Sequence, residues 1–186
     1  LGTLQELEPV DEFRVREVSC ELHLPQALFY EELSRQAGVE IADDEALLQM
    51  LQELAESRRF CGMRLSNYVN RFDEESQTQF AAITVQVEDG LRYISYRGTD
   101  STLVGWKENF NMTFTFPVPA QKSALDYLEQ TEDMGKGSFI LGGHSKGGNL
   151  AMYAAAMAEP AMQCKIDTVY NFDGPGFDEK MLDTPG

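Results

Sequence analysis

Two stretches near the start of the chain have the spacing of apolar residues that is typical of amphipathic helices. The first covers residues 24–37, and the second covers residues 43–59 and ends in two arginines, where the helix dipole favours positive charge. No linker rich in Pro, Gly or Ser follows them. We therefore predict that residues 1–60 form an N-terminal helical extension of the same domain as residues 61–186.

The pattern then changes from helical spacing to runs of β-forming residues. Residues 80–87 and 91–96 are two such runs, and the turn signal Glu88-Asp89-Gly90 separates them. This arrangement predicts a β-hairpin. A short helix is predicted through residues 106–110, and another helix is predicted over residues 120–132.

The last third of the chain alternates between strand and helix patterns. An apolar strand is predicted over residues 138–141, a helix rich in Ala, Leu and Met over 148–158, and a further strand over 166–172. A strand–helix–strand unit implies parallel strands, because the helix carries the chain back across the sheet. The predicted fold is a three-layer α/β domain with a mostly parallel central sheet and the N-terminal helical extension.

Charge excludes some classes of partner. The 186 residues include 15 Lys and Arg against 31 Asp and Glu, which gives a net charge of −16 at pH 7. Nucleic acids and anionic membranes both attract basic surfaces, so neither is an expected partner. No run of about 18 apolar residues is present, so no transmembrane segment is predicted.

The cysteines indicate the compartment. Cys20, Cys61 and Cys164 are an odd number, are scattered along the chain and form no CxxC pair. A disulfide framework or a zinc site is therefore not expected, and reduced thiols in the cytoplasm are the prediction.

One motif carries chemistry. Gly143-His144-Ser145-Lys146-Gly147 fits G-x-S-x-G, and it lies between a predicted strand and a predicted helix of small residues. That context is the one a nucleophile elbow needs, because the serine sits on a sharp turn where strand and helix approach closely. Ser145 is therefore the predicted nucleophile. A glycine-rich turn can also bind phosphate, but neither G-x-x-x-x-G-K-[ST] nor G-x-G-x-x-G occurs here.

A second stretch, Tyr96-Arg97-Gly98-Thr99-Asp100, ends a predicted strand. An oxyanion hole needs one amide from the residue after the nucleophile and another from a separate loop. The Lys146 amide is the first predicted donor and the Thr99 amide is the second, with the Thr99 hydroxyl as a further donor. A plain turn at the end of a strand is the alternative.

These motifs resemble known families. Arg97-Gly98-Thr99 followed by a Trp resembles the strand-end motif of the class 3 lipases, and Gly143-His144-Ser145 followed by Gly147-Gly148 resembles their nucleophile motif. The resemblance to the Mbeg1-like family, a bacterial family of lipase-like proteins, is closer and spans residues 55–178. It is carried by residues 96–100, 105–111, 142–151 and 170–177. The resemblance implies an α/β-hydrolase fold with serine-esterase or lipase activity, and it does not supply a substrate.

The rest of the predicted triad is incomplete. The chain has two histidines: His144 is a neighbour of Ser145 at the turn and points away from it, and His23 precedes the serine, whereas the fold places its histidine after it. The base is therefore expected beyond Gly186. Asp173 follows the strand after the nucleophile helix and is the predicted acid, while a turn-forming role is the alternative. Asp178 is a weaker candidate acid.

Two further side-chain predictions can be tested against the structure. The Lys146 side chain is expected to point toward solvent or the helix surface, and a contact between its ammonium and an anionic substrate is the less favoured alternative. The alternating residues Phe110, Met112, Phe114 and Phe116 predict an extended segment with one buried face, packed in the core or lining an acyl pocket.

The predicted reaction is hydrolysis of a lipid or small-molecule carboxylic ester through an acyl-enzyme on Ser145, with no cofactor and no metal. Two alternatives remain open at this point. One is a non-catalytic binding module that keeps the same fold, and the other is an acyltransferase that uses the same serine.

Overall fold

The computed structural model describes residues 13–14, 53, 56–75, 78–99, 103–112, 114–131 and 137–177. The strands are β1 (Phe13–Arg14), β2 (Arg64–Asp73), β3 (Thr78–Glu88), β4 (Leu91–Tyr96), β5 (Ser138–His144) and β6 (Ile166–Phe172). The helices are α1 (Leu103–Asn111), α2 (Pro119–Thr131), α3 (Lys146–Met157) and α4 (Pro160–Gln163). The predicted hairpin, the helices before and after Ser145, and the final strand are all confirmed to within a few residues.

The strands form one six-stranded sheet in the order β1-β2-β3-β4-β5-β6. The three pairings from β1 to β4 are antiparallel and the two from β4 to β6 are parallel. The prediction of a mostly parallel sheet is therefore wrong for the described residues. The reason lies in the connections: short turns join β2 to β3 and β3 to β4, whereas helices carry the chain from β4 to β5 and from β5 to β6.

Strand β2 was not predicted, because its sequence, Arg-Leu-Ser-Asn-Tyr-Val-Asn-Arg-Phe-Asp, is mostly polar. Only Val69 in it is buried. Its register against β3 shifts between Ser66 and Val69, and Asn67 there has a φ of 54°. The Tyr127 hydroxyl donates a 2.8 Å hydrogen bond to the carbonyl of Asn67 and so fixes this irregularity to α2.

The core lies between the sheet and helices α2 and α3. Helix α2 packs against β3 and α3, and α3 packs against β4, β5 and β6. Every second residue of β4 faces these helices, and Ile94 and Leu150 are fully buried between the two layers. The regular alternation is the period-2 pattern of a strand with one face on the core.

The third layer stays a prediction. The other face of the sheet carries half-buried residues such as Tyr93 and Ile140. The helices predicted over residues 24–37 and 43–59 lie almost entirely outside the described residues. The division into an extension and a core is likewise untested.

The cysteines and the helices bear on the predictions about thiols and membrane-spanning segments. Cys61 and Cys164 carry free thiols, whereas Cys20 lies outside the described residues. Within the described ranges, no helix is both long enough and apolar enough to cross a membrane.

Candidate active site

Ser145 lies on the turn between β5 and α3. Its backbone angles are φ 53° and ψ −128°, and its side chain does not cap the helix that follows. A residue other than glycine in this region carries strain of about 1–3 kcal/mol, which persists only where the surrounding structure enforces it. The half-buried Ser145 hydroxyl is thus presented on a strained strand-to-helix turn, which is the geometry of a nucleophile elbow.

Two glycines make this turn possible. A Cβ atom on Gly147 would lie 3.0 Å from the carbonyl carbon of Arg97 and would collide with the Tyr96 carbonyl. A Cβ on Gly143 would collide with the backbone of Gly147. The end of β4, the end of β5 and the start of α3 therefore meet at backbone contact distance.

The loop after β4 lies directly on the elbow. A Cβ on Gly98 would lie 2.8 Å from the carbonyl oxygen of His144 and 3.7 Å from the Cβ of Ser145. The next residue, Thr99, has a buried hydroxyl oxygen that makes no hydrogen bond within the described part of the chain. A buried hydroxyl in that state is available to a ligand atom, because leaving it unpaired is costly.

Asp173 lies beside Ser145 at the carboxyl edge of the parallel strands. The Ser145 amide donates a 2.9 Å hydrogen bond to the carbonyl of Phe172, and Asp173 is the next residue. Its φ of 55° is left-handed, a conformation that Asp tolerates better than most residues. The parallel register of the two strands therefore brings the backbone of the predicted acid next to that of the predicted nucleophile. The Asp173 side chain is exposed.

Amide side chains hold the turn that contains Asp173. The Gly174 amide donates to Asn171 Oδ1 at 2.9 Å. From α3, Asn149 Nδ2 donates to the carbonyl of Pro175 at 3.0 Å. Asn149 Oδ1 accepts in turn from Gln121 Nε2 at 2.9 Å. The turn is therefore attached to the helix that begins directly after Ser145.

The expectation that the Lys146 side chain points toward solvent is wrong. This side chain is 0% exposed, and its Nζ lies 2.9 Å from Glu108 Oε2. The same Nζ donates to the carbonyl of Gln79 at 2.6 Å and to Gln79 Oε1 at 2.5 Å. Burial is possible because a carboxylate and two further acceptors compensate the ammonium charge.

The aromatic segment after α1 also differs from its prediction. Phe110 and Phe114 are 66% and 67% exposed, and their ring centroids are 5.2 Å apart. Phe110 belongs to α1, so the segment is not extended and this pair is not in the core. Only Phe116 packs as expected, against the ring of Tyr153 on α3.

His144 is the one histidine within the described residues, and its side chain is exposed. His23 and Asp178 lie outside the described residues. A catalytic base is therefore not part of the described site. No group of three or more His, Cys, Asp or Glu side chains in the described ranges could hold a metal ion.

Two buried tyrosines lie behind the site. The Tyr96 hydroxyl donates to the carbonyl of Ala124 at 3.1 Å, and burial raises the pKa of Tyr96 well above its usual value. Burial also raises the pKa of Tyr127 to about 12. Both rings stay neutral at physiological pH and act as packing and hydrogen-bonding groups.

One comparison with known proteins identifies a family. The family model for Mbeg1-like proteins matches residues 54–186. One solved structure is similar, a fungal lipase in complex with an inhibitor, with a TM-score of 0.33 and 16% identity over 48% of this chain. The match spans 40% of the length of that lipase chain. A search of the curated proteins found no match.

Proposed function

The chain belongs to the Mbeg1-like family, whose model matches more than half of its residues, and on that premise we propose that it is a serine hydrolase. The substrate would be a carboxylic ester, of lipid or small-molecule type, and the intermediate an acyl-enzyme on Ser145. The observation that carries the proposal is the strained backbone of Ser145, with φ 53° and ψ −128°. Strain of this kind accumulates at functional sites and has no evident structural benefit here.

In the proposed first step, Ser145 Oγ attacks the ester carbonyl carbon and its proton passes to a base. The carbonyl oxygen becomes negatively charged, and donors from Lys146 and Thr99 stabilise it. The N-terminus of α3 adds the positive end of a helix dipole at the same place. The tetrahedral intermediate then collapses, the alcohol leaves with the proton, and the acyl group stays on Ser145.

In the second step, a water molecule attacks the acyl-enzyme in the same way and releases the carboxylic acid product. Asp173 is the proposed residue that orients the base and stabilises its charged form. The base itself is proposed to be a histidine outside the described residues, because within them only His144 is available and its side chain is exposed.

A different observation supports a second candidate function: within the described residues the one histidine is His144, whose side chain is exposed. A pocket with an elbow serine and no histidine to activate it would bind a ligand without turnover. A non-catalytic binding module is therefore the alternative, and an acyltransferase is the variant in which an alcohol other than water accepts the acyl group.

Labelling of the full chain with a fluorophosphonate probe tests the proposal, since the probe reacts with activated serines. We expect stoichiometric labelling that is lost in Ser145→Ala and retained in Ser123→Ala, a matched serine change on α2. A folded protein that is not labelled would exclude the hydrolase and favour the binding module. Turnover of a chromogenic ester with and without added alcohol then separates hydrolase from acyltransferase.

A further inference from the structure

Lys146 contributes to the site through both its backbone and its side chain. Its backbone amide follows the nucleophile and is a proposed oxyanion donor. Its side chain is 0% exposed and leads away from the elbow into a cluster with Glu108 and Gln79. Within the described residues, Lys146 Nζ donates to one Glu108 oxygen, to the Gln79 carbonyl and to Gln79 Oε1.

Glu108 accepts three hydrogen bonds within the described residues. Its Oε2 accepts from Lys146 and also from the Gln79 amide at 3.1 Å. Its Oε1 accepts from the Ala120 amide at 3.0 Å. One carboxylate therefore joins the start of β3, helix α1, the first turn of α2 and the elbow. Neither charge can leave this cluster alone without leaving the other buried and uncompensated.

The position of α1 gives this cluster a consequence for the site. Helix α1 begins at Leu103, directly downstream of the loop that carries Thr99. That loop rests on the elbow through Gly98. The two proposed oxyanion donors thus lie on the elbow and on the loop that precedes α1 in the chain. The ion pair between Lys146 and Glu108 connects the elbow to α1 itself.

We propose that Lys146 and Glu108 are positioning residues that fix the separation between the two oxyanion donors, the Lys146 amide and Thr99. The inference rests on the proposed function, because it assigns the pair to the same site. A donor contributes fully only when it lies at about 2.7–3.1 Å from the oxyanion position, so a small movement of α1 would weaken the transition state more than the bound substrate.

The test compares variants that separate positioning from stability. Glu108→Gln keeps the shape of the side chain but offers one acceptor oxygen instead of two, so an NH₂ group must face a donor. The double variant Lys146→Met with Glu108→Leu removes both charges, and apolar replacement of a whole ion pair tends to retain stability. Tyr127→Phe is the matched control. It removes hydrogen bonds that join Tyr127, on α2, to Thr84 and Asn67 of the sheet.

The readouts are kcat and KM for a short-chain ester, the rate of fluorophosphonate labelling, and the midpoint of urea unfolding, all on the full chain. We expect Glu108→Gln to lower kcat by about 10- to 1000-fold with KM nearly unchanged, the signature of a lost transition-state interaction. The double variant should fold and still show the kcat defect, while Tyr127→Phe should lose stability and keep kcat.

Three outcomes decide the matter. If wild-type protein folds and Ser145 is not labelled, the proposed function fails and this inference fails with it. If wild-type protein is labelled but Glu108→Gln keeps kcat within twofold, the pair is purely structural and only the inference is overturned. If the double variant does not fold, the comparison of Glu108→Gln with Tyr127→Phe still decides, because a kcat loss confined to Glu108→Gln supports positioning.

Discussion

The two sides of Ser145 are built in opposite ways. On the side of Lys146, a fully buried ion pair with Glu108 joins four segments of backbone. On the side of Asp173, that residue is exposed and has a left-handed φ of 55°, and neutral amide side chains from Asn171 and Asn149 hold the turn. A buried ion pair fixes one side, and hydrogen bonds of neutral amide side chains fix the other.

The difference matches the different tasks that the proposed mechanism gives to these sides. An oxyanion hole works by preorganisation and benefits from a rigid, water-free support. A triad acid must instead meet a base that another part of the protein supplies, so its carboxylate has to remain accessible. The exposed side chain of Asp173 satisfies that requirement.

The largest effect is expected on the exposed side. Asp173→Asn should lower kcat by about 10⁴-fold, because an amide cannot hold the base in its correct tautomer or stabilise its positive charge. Steady-state kinetics with a chromogenic ester measures this. Asp167→Asn is the control, since Asp167 lies on β6, the strand that Asp173 follows, and its carboxylate accepts a hydrogen bond from Ser138. Equal kinetics for the two variants would assign Asp173 to the turn alone.

The next effect tests the buried side. Lys146→Met alone should lower the free energy of unfolding by about 3–5 kcal/mol, because it leaves the Glu108 carboxylate buried without its counter-charge. Urea unfolding measures the loss, and Lys122→Met, a change of the same kind at an exposed position on α2, should leave stability almost unchanged. A loss below 1 kcal/mol would mean that water reaches the cluster, and the contrast between the two sides would not hold.

A smaller effect is expected for a change of Asn149, which holds the turn of Asp173. Asn149→Ala should cost about 1–3 kcal/mol, because Gln121 and the carbonyl of Pro175 lose their buried partner. Hydrogen exchange should show faster exchange of the Gly174 amide and unchanged exchange of the Gln79 amide, which lies in the charged cluster. Faster exchange at both amides would show that the two sides are one cooperative unit.

The smallest effect concerns alkaline pH. The folded-state pKa of Tyr127 is about 12 against an ordinary value of 10.0, so folding favours its protonated form. Its contribution to stability is complete below pH 10 and is lost as pH rises from 10 to 12, by about 1.4 kcal/mol per pH unit. Tyr96 adds a loss of the same sign. Urea unfolding between pH 9 and 11.5 should show that the free energy of unfolding falls less steeply with pH in Tyr127→Phe than in the wild type. An equal slope in the two proteins would contradict this.

Local patterns were sufficient for much of the fold. The hairpin β3–β4, helices α2 and α3, and strands β5 and β6 were predicted because their apolar residues repeat with the period of a strand or a helix. Strand β2 was not predicted, since its mostly polar sequence has no such repeat. The prediction of an extended segment through Phe110 and Phe114 was wrong for a related reason. Alternation over a few residues does not distinguish a strand from the end of a helix followed by a turn.

The sequence by itself determined the strained strand-to-helix turn at Ser145, because the surrounding glycines and the flanking strand and helix are all encoded within a few residues. Only the tertiary structure decided that the Lys146 side chain is buried. Its partners Glu108 and Gln79 lie 38 and 67 positions away in the chain, and nothing in the neighbouring sequence predicts them. A charged side chain is buried when distant residues supply its compensating charge and acceptors, so its environment is a property of the fold rather than of the motif.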